Sequence, residues 1–98
     1  SGAYERLPVI VGDAVPAGLR LVGCEADAPR AIDEEDLTGP VCLAIGGEKR
    51  GLSAAVRARC DARVTIPTRP GAPSLSLTHA AAVALAEVAR QRRVRGRG

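Results

Sequence analysis

The chain has 98 residues and a net charge of +3, with no Phe, Trp or Met and Tyr4 as its one aromatic. That length allows one small domain or part of one. No apolar run approaches the ~20 residues needed to cross a bilayer and no signal peptide precedes the domain, so the sequence excludes a membrane span and reads as cytoplasmic.

The elements follow in chain order. Leu7 to Gly12, LPVIVG, is a short apolar run between turn residues, and LRLVGCEA from Leu19 is a second, set off by Pro16 and Gly18; both predict strands. APRAIDEEDLTGP reads as a solvated polar connection with room for one helical turn. VCLAIGG, from Val41, is apolar without alternation, as expected of a strand covered on both faces of a parallel sheet. GLSAAVRARC places Leu52, Val56 and Cys60 at helical spacing, with Ser53 or the residues just before it available as a cap. ARVTIP is the next strand, stopped by Pro67, and TRPGAP is a loop. Leu77 to Arg93 is built of strong helix formers, with Thr78 as its N-cap and Leu77, Ala81, Ala84, Leu85 and Val88 as one apolar stripe. Strand and helix alternate, which predicts an α/β fold: a parallel sheet with flanking helices.

A core of Val, Leu, Ile and Ala buries little area per residue, and at roughly 25 cal/mol per Å² it is weak. The chain is therefore expected to lean on a partner subunit or on the rest of a longer protein. The missing methionine fits both removal of an initiator before Ser1 and a start in mid-domain. Cys24, Cys42 and Cys60 are odd in number and 18 residues apart, matching neither CxxC metal spacing nor a disulfide framework. They read as reduced structural cysteines, and no metal site is expected.

In parallel sheets ligands bind beyond the carboxyl ends of strands. VCLAIGGEKRGLS has its glycine pair, Gly46 and Gly47, at such an end. The pair reads either as a turn or as a close approach of backbone to ligand. Gly46 and Gly51 have the GxxxxG spacing of a phosphate loop, but Leu52 and Ser53 follow instead of Lys and Ser/Thr, and no GxGxxG follows any strand. A nucleoside-triphosphate or dinucleotide site is not predicted.

Residues 41 to 93 carry a more specific pattern. Gly46, Glu48, Gly51-Leu52, Cys60-Asp61, Ile66-Pro67 and Ser74-Leu75-Ser76 occur in the order and spacing of the second and third motifs of the SpoU/TrmH family of RNA ribose methyltransferases, which this chain resembles. The resemblance implies the C-terminal part of a SPOUT-type domain, with a trefoil knot that forms a pocket for S-adenosyl-L-methionine. By matching positions it implies cofactor contacts from Ile45, Gly46, Gly47, Ile66, Pro67, Ser74 and Leu75, catalytic roles for Glu48 and Ser76, and RNA contacts from Lys49 and Arg50. It implies a tRNA or rRNA partner and a homodimer packed through the last helix. The loops after two adjacent strands and the start of that helix are expected to meet in one groove.

Two departures from the family pattern stand out. The first family motif, an Asn and an Arg upstream, has no counterpart, so the chain alone is expected to lack the group that takes the ribose proton. Ser76 stands where the family has Asn and offers fewer donors.

The other polar features have plainer readings. His79, in the first turn of the last helix, reads as a surface or capping residue. Asp33 to Asp36 reads as a solvent-facing run, since adjacent buried acids are costly. Arg90, Arg92, Arg93, Arg95 and Arg97 suit RNA phosphates or simple solvation equally and also complement the helix C-terminus, and a single aromatic argues against base stacking. Two functions remain open: the cofactor-binding portion of an RNA 2′-O-methyltransferase, or a non-catalytic module that dimerises or binds RNA.

Overall fold

A computed structural model describes residues 9–10, 17–46, 51–66 and 77–97 of the chain. Among these, β1 (Val9–Ile10), β2 (Arg20–Cys24), β3 (Arg30–Ala31), β4 (Val41–Ile45) and β5 (Ala62–Thr65) form one sheet in the order β1-β4-β2-β5-β3. Every pairing is parallel. Helix α1 (Ala54–Arg59) lies between β4 and β5 in the chain, and α2 (Leu77–Arg97) ends it.

The apolar runs are continuous because both faces of the sheet are covered. One face gathers Leu21, Cys42 and Ala44 with Leu52 and Val56 at α1. The other gathers Val22, Cys24, Leu43, Ile45 and Val64 with Ala84 and Val88 of α2. Successive residues of β2 and β4 thus alternate between two cores rather than between core and water, as the lack of polar alternation predicted. Gly23 belongs to the α1 side. A Cβ there would lie 2.6 Å from Leu52 Cδ1 and 2.7 Å from Cys60 Sγ, so the glycine lets α1 and its end pack close on β2.

Of the candidate caps for helix α1, Ser53 serves. Ser53 Oγ accepts the Val56 N–H at 3.2 Å. At its other end Asp61 closes a reciprocal pair with β2: Leu21 N–H donates to Asp61 Oδ2 at 2.7 Å, and Asp61 N–H donates to the Leu21 carbonyl at 2.8 Å.

Three expectations need correction. Helix α2 begins at Leu77, so Thr78 is inside the first turn and does not cap it, and it runs past Arg93 to Arg97. Its buried face is Ala84 and Val88, with Ala80 and Ala81 against the core, while Leu85 is 39% exposed. One residue along a 3.6-residue turn rotates Leu85 about 100° from Ala84, off the sheet-facing side. The segment after Cys24 is also more than a solvated loop. It forms β3 and a 3-10 turn over Ile32–Glu34 and buries Ile32, Glu35 and Leu37.

Glu35 therefore leaves the acidic run. Its carboxylate is 4% exposed and pairs with Arg20 and, at 2.9 Å, with Arg30. Asp33, Glu34 and Asp36 stay exposed. A buried carboxylate survives only with such partners. Gln91 of α2 holds this segment, accepting the Leu37 N–H at 2.8 Å and donating to the Glu35 carbonyl at 2.9 Å.

Candidate ligand site at the carboxyl edge of the sheet

The register sets the geometry of the edge. Cys24 lies opposite Ile45 on one side and Val64 on the other. The ends of β4 and β5 therefore flank the end of β2, about 10 Å apart at the usual strand spacing. They are not adjacent strands, contrary to the sequence expectation, and the residue between them is Glu25.

Ile45 is buried in the core on the α2 side, and Ile66, just past β5, is half-buried against that same core. Gly46 follows Ile45 and is half-buried. A Cβ at Gly46 would lie 2.3 Å from the carbonyl carbon of Gly51, 2.5 Å from Leu52 N and 2.7 Å from Gly51 Cα. The chain thus leaves β4 at Gly46 and returns at Gly51 and Leu52 in direct backbone contact, which only glycine permits. Gly51 has φ +64, a left-handed conformation that also favours glycine. So Gly46 is required by the protein's own main chain, whatever else it contacts.

Ile66 also lines an open groove of about 760 Å³ with Ile32, Val83 and Ala86, rimmed by Asp33, Glu87, Arg90 and Arg93. Neither Ile45 nor Gly46 lines it.

Glu25 directly follows β2 and pairs with Arg57 of α1, and its side chain is 3% exposed. Oε2 accepts from Arg57 Nε at 3.0 Å and Nη2 at 2.6 Å, and Oε1 accepts from Arg63 Nη1 at 3.0 Å. A Cβ at Gly51 would lie 3.9 Å from Oε2, so the carboxylate borders the returning segment. Sequence reasoning passed over Glu25 as the end of an apolar run. The signal was available, since a lone charge beside a buried strand needs a partner.

The cysteines are free. Burial pushes the Cys24 thiol up to about 11, with a smaller contribution from Cys60. Burial also raises Cys60, helped by the Glu25 carboxylate. Among the described residues no group of three or more His, Cys, Asp or Glu is arranged to hold a metal ion, and no helix is long and apolar enough to cross a membrane. His79 is exposed at the start of α2. Much of the arginine tail is tied down: Arg90 to Glu87, Arg92 to the Gly39 carbonyl at 2.9 Å, and Arg95 to the Thr38 hydroxyl.

The structure thus brings Ile45, Gly46 and Ile66 to one edge of the sheet. Gly47, Glu48, Lys49, Arg50, Pro67, Ser74, Leu75 and Ser76 lie outside the described residues.

A parallel sheet with helices on both faces defines an α/β domain. The particular family is settled by comparison: the model of the SpoU rRNA Methylase family matches residues 3–86, and the chain belongs to that family. A tRNA/rRNA methyltransferase of Mycobacterium sp. (strain KMS), itself uncharacterized, is 45% identical over 101 residues, covering 95% of this chain and 32% of the relative. The chain spans about a third of the length of the curated relatives it matches. Among solved structures, the SpoU methyltransferase AviRb from Streptomyces viridochromogenes superposes with a TM-score of 0.74 at 39% identity, over 79% of this chain and 30% of that one. Its complex with the cofactor AdoMet (S-adenosylmethionine) gives 0.71 at 34% identity over 92% of this chain and 32% of that one. The A. aeolicus TrmH/SpoU tRNA modifying enzyme gives 0.70 at 30% identity, over 81% and 41%.

Proposed function

We propose that the chain is the cofactor-binding portion of an S-adenosylmethionine-dependent RNA 2′-O-ribose methyltransferase acting on tRNA or rRNA. The observation that carries this reading is the carboxyl edge of the sheet, where Ile45-Gly46 and Ile66 flank the end of β2 in a fold shared with an AdoMet-bound neighbour. The residues suit the group. Ile66 offers an apolar side chain for an adenine ring, and half-buried main chain at Gly46 offers amide and carbonyl groups without a side chain.

In this reading Ile45 would line the pocket, and backbone around Gly46, Gly47, Ile66, Pro67, Ser74 and Leu75 would hold the cofactor. The cofactor supplies an electrophilic methyl group on a sulfonium. Glu48 orients an arginine contributed by the rest of the protein, and that arginine takes the proton of the ribose 2′-hydroxyl. Ser76 gives and accepts one hydrogen bond each at the mouth of the site, and Lys49 and Arg50 meet the RNA. The C-terminal segment threads the trefoil knot. A second copy packs against α2, where Val83, Leu85 and Val94 are exposed apolar side chains. The protein works in the cytoplasm.

Calorimetry of the full-length protein with S-adenosylmethionine tests the reading, followed by mass spectrometry of RNA digests for alkali-resistant 2′-O-methyl dinucleotides. Binding heat and such dinucleotides are expected. No heat would leave the non-catalytic module as the better reading.

A further inference from the structure

We infer that Arg57 and Arg63, anchored on the buried carboxylate of Glu25, form a contact for a backbone phosphate of the RNA substrate. The inference deepens the RNA-methyltransferase reading and rests on it for the identity of the polyanion.

The charge arithmetic points outward. Glu25 is 3% exposed, whereas the side chains of Arg57 and Arg63 are 49% and 39% exposed. One guanidinium would neutralise the carboxylate; two give these three side chains one excess positive charge, with Asp61, which also acts on Cys60, as the neighbouring acid. Arg57 commits Nε and Nη2 to Glu25, and Arg63 commits Nη1. Arg57 Nη1 and Arg63 Nε and Nη2 make no further hydrogen bond among the described residues. Those donors form the planar forks that phosphate oxygens accept.

Anchoring matters as much as charge. A free surface arginine loses rotamer freedom when it grips a ligand, and these two have already lost it to Glu25. Arg90 differs, because it is paired one to one with Glu87, which leaves no excess charge.

Position completes the case. Glu25 directly follows β2, which lies between β4 and β5, and borders Gly51. Arg57 belongs to α1, which starts just after Gly51. A phosphate held there neighbours a nucleotide whose ribose faces the carboxyl edge.

The test uses the full-length protein and a fluorescein-labelled 20-nucleotide RNA stem-loop, with anisotropy titrations over a range of KCl concentrations. Each lost phosphate contact should lower the magnitude of the log K against log salt slope by about 0.7–0.9, which is about a five- to eightfold loss of affinity at 0.1 M salt. Arg57→Gln and Arg63→Gln should each show that loss. The double variant Glu25→Gln/Arg57→Gln keeps the net charge and leaves no unpaired buried carboxylate, yet should show it too. Wild-type slopes in the folded variants would overturn the inference and leave the arginines as counter-ions of Glu25. Should the variants not fold, phenylglyoxal modification of the wild-type protein decides: RNA should protect Arg57 and Arg63, and unchanged modification overturns the proposal. Labelled polyglutamate binding with the same dependence on Arg57 would assign the cluster to an acidic protein and also overturn it. Calorimetry with S-adenosylmethionine separates the two readings. Intact cofactor binding with an unchanged salt slope defeats only this inference, and absent cofactor binding in the wild type defeats the methyltransferase reading.

Discussion

Replacing Gly46 with alanine puts a methyl group where the structure has backbone. The new Cβ would stand 2.3 Å from the Gly51 carbonyl carbon and 2.5 Å from Leu52 N, so reaching an ordinary 3.4 Å contact moves main chain by about 1 Å. No side-chain rotation relieves this. The moving segment carries Leu52, which is 7% exposed and packed with Leu21, Cys42, Ala44 and Val56. Overpacking alone costs about 1–3 kcal/mol, and partial withdrawal of a buried leucine adds to it. We expect Gly46→Ala to destabilise by about 2–4 kcal/mol. Gly51→Ala is the internal control: a Cβ there meets nothing closer than 3.9 Å, and only the positive φ is unfavourable, at about 1 kcal/mol. Urea unfolding of the full-length protein, followed by circular dichroism, reads both. A Gly46→Ala loss below about 0.5 kcal/mol, or smaller than that of Gly51→Ala, would refute the backbone-contact argument.

Other outcomes follow from the same contacts. Gly23→Ala should destabilise by about 1–3 kcal/mol, and because its clashes are with side chains, Leu52 Cδ1 and Cys60 Sγ, Cys60→Ala should restore part of the loss in a double-mutant cycle. Gln91→Ala strips partners from the Leu37 N–H and Glu35 carbonyl, so about 1–3 kcal/mol should be lost and the Leu37 amide should exchange hydrogen faster. The folded Cys24 thiol sits at about 11 against an ordinary 9.0, so its contribution is complete below pH 9 and is lost as pH rises through 11. That window is worth roughly 2–3 kcal/mol. Urea midpoints measured from pH 8 to 11 should fall more steeply in the wild type than in Cys24→Ala.

The layer order was legible because its signals are local. Continuous apolar runs at Arg20–Cys24 and Val41–Ile45, a serine cap at Ser53 and an alanine-rich helix each announce themselves within a few residues. Long-range pairing was not legible. Nothing near Glu35 reveals that Arg20 will neutralise it, and nothing near Glu25 reveals Arg57 and Arg63, which are 32 and 38 residues away. The strand order hid for the same reason: the insertion of β2 between β4 and β5 is a property of register. From sequence Gly46 reads as a turn or as a place where a ligand nears the main chain; what lies against it is Gly51-Leu52 of the same chain, a contact that no spacing rule foretells.

A crystal structure of the full-length protein grown with S-adenosylmethionine tests the central claim most directly. The account predicts the methyl donor lodged beyond the ends of β4 and β5, against the main chain of Ile45-Gly46 and the side chain of Ile66. A donor bound elsewhere, with that edge filled by the protein's own side chains, would contradict it.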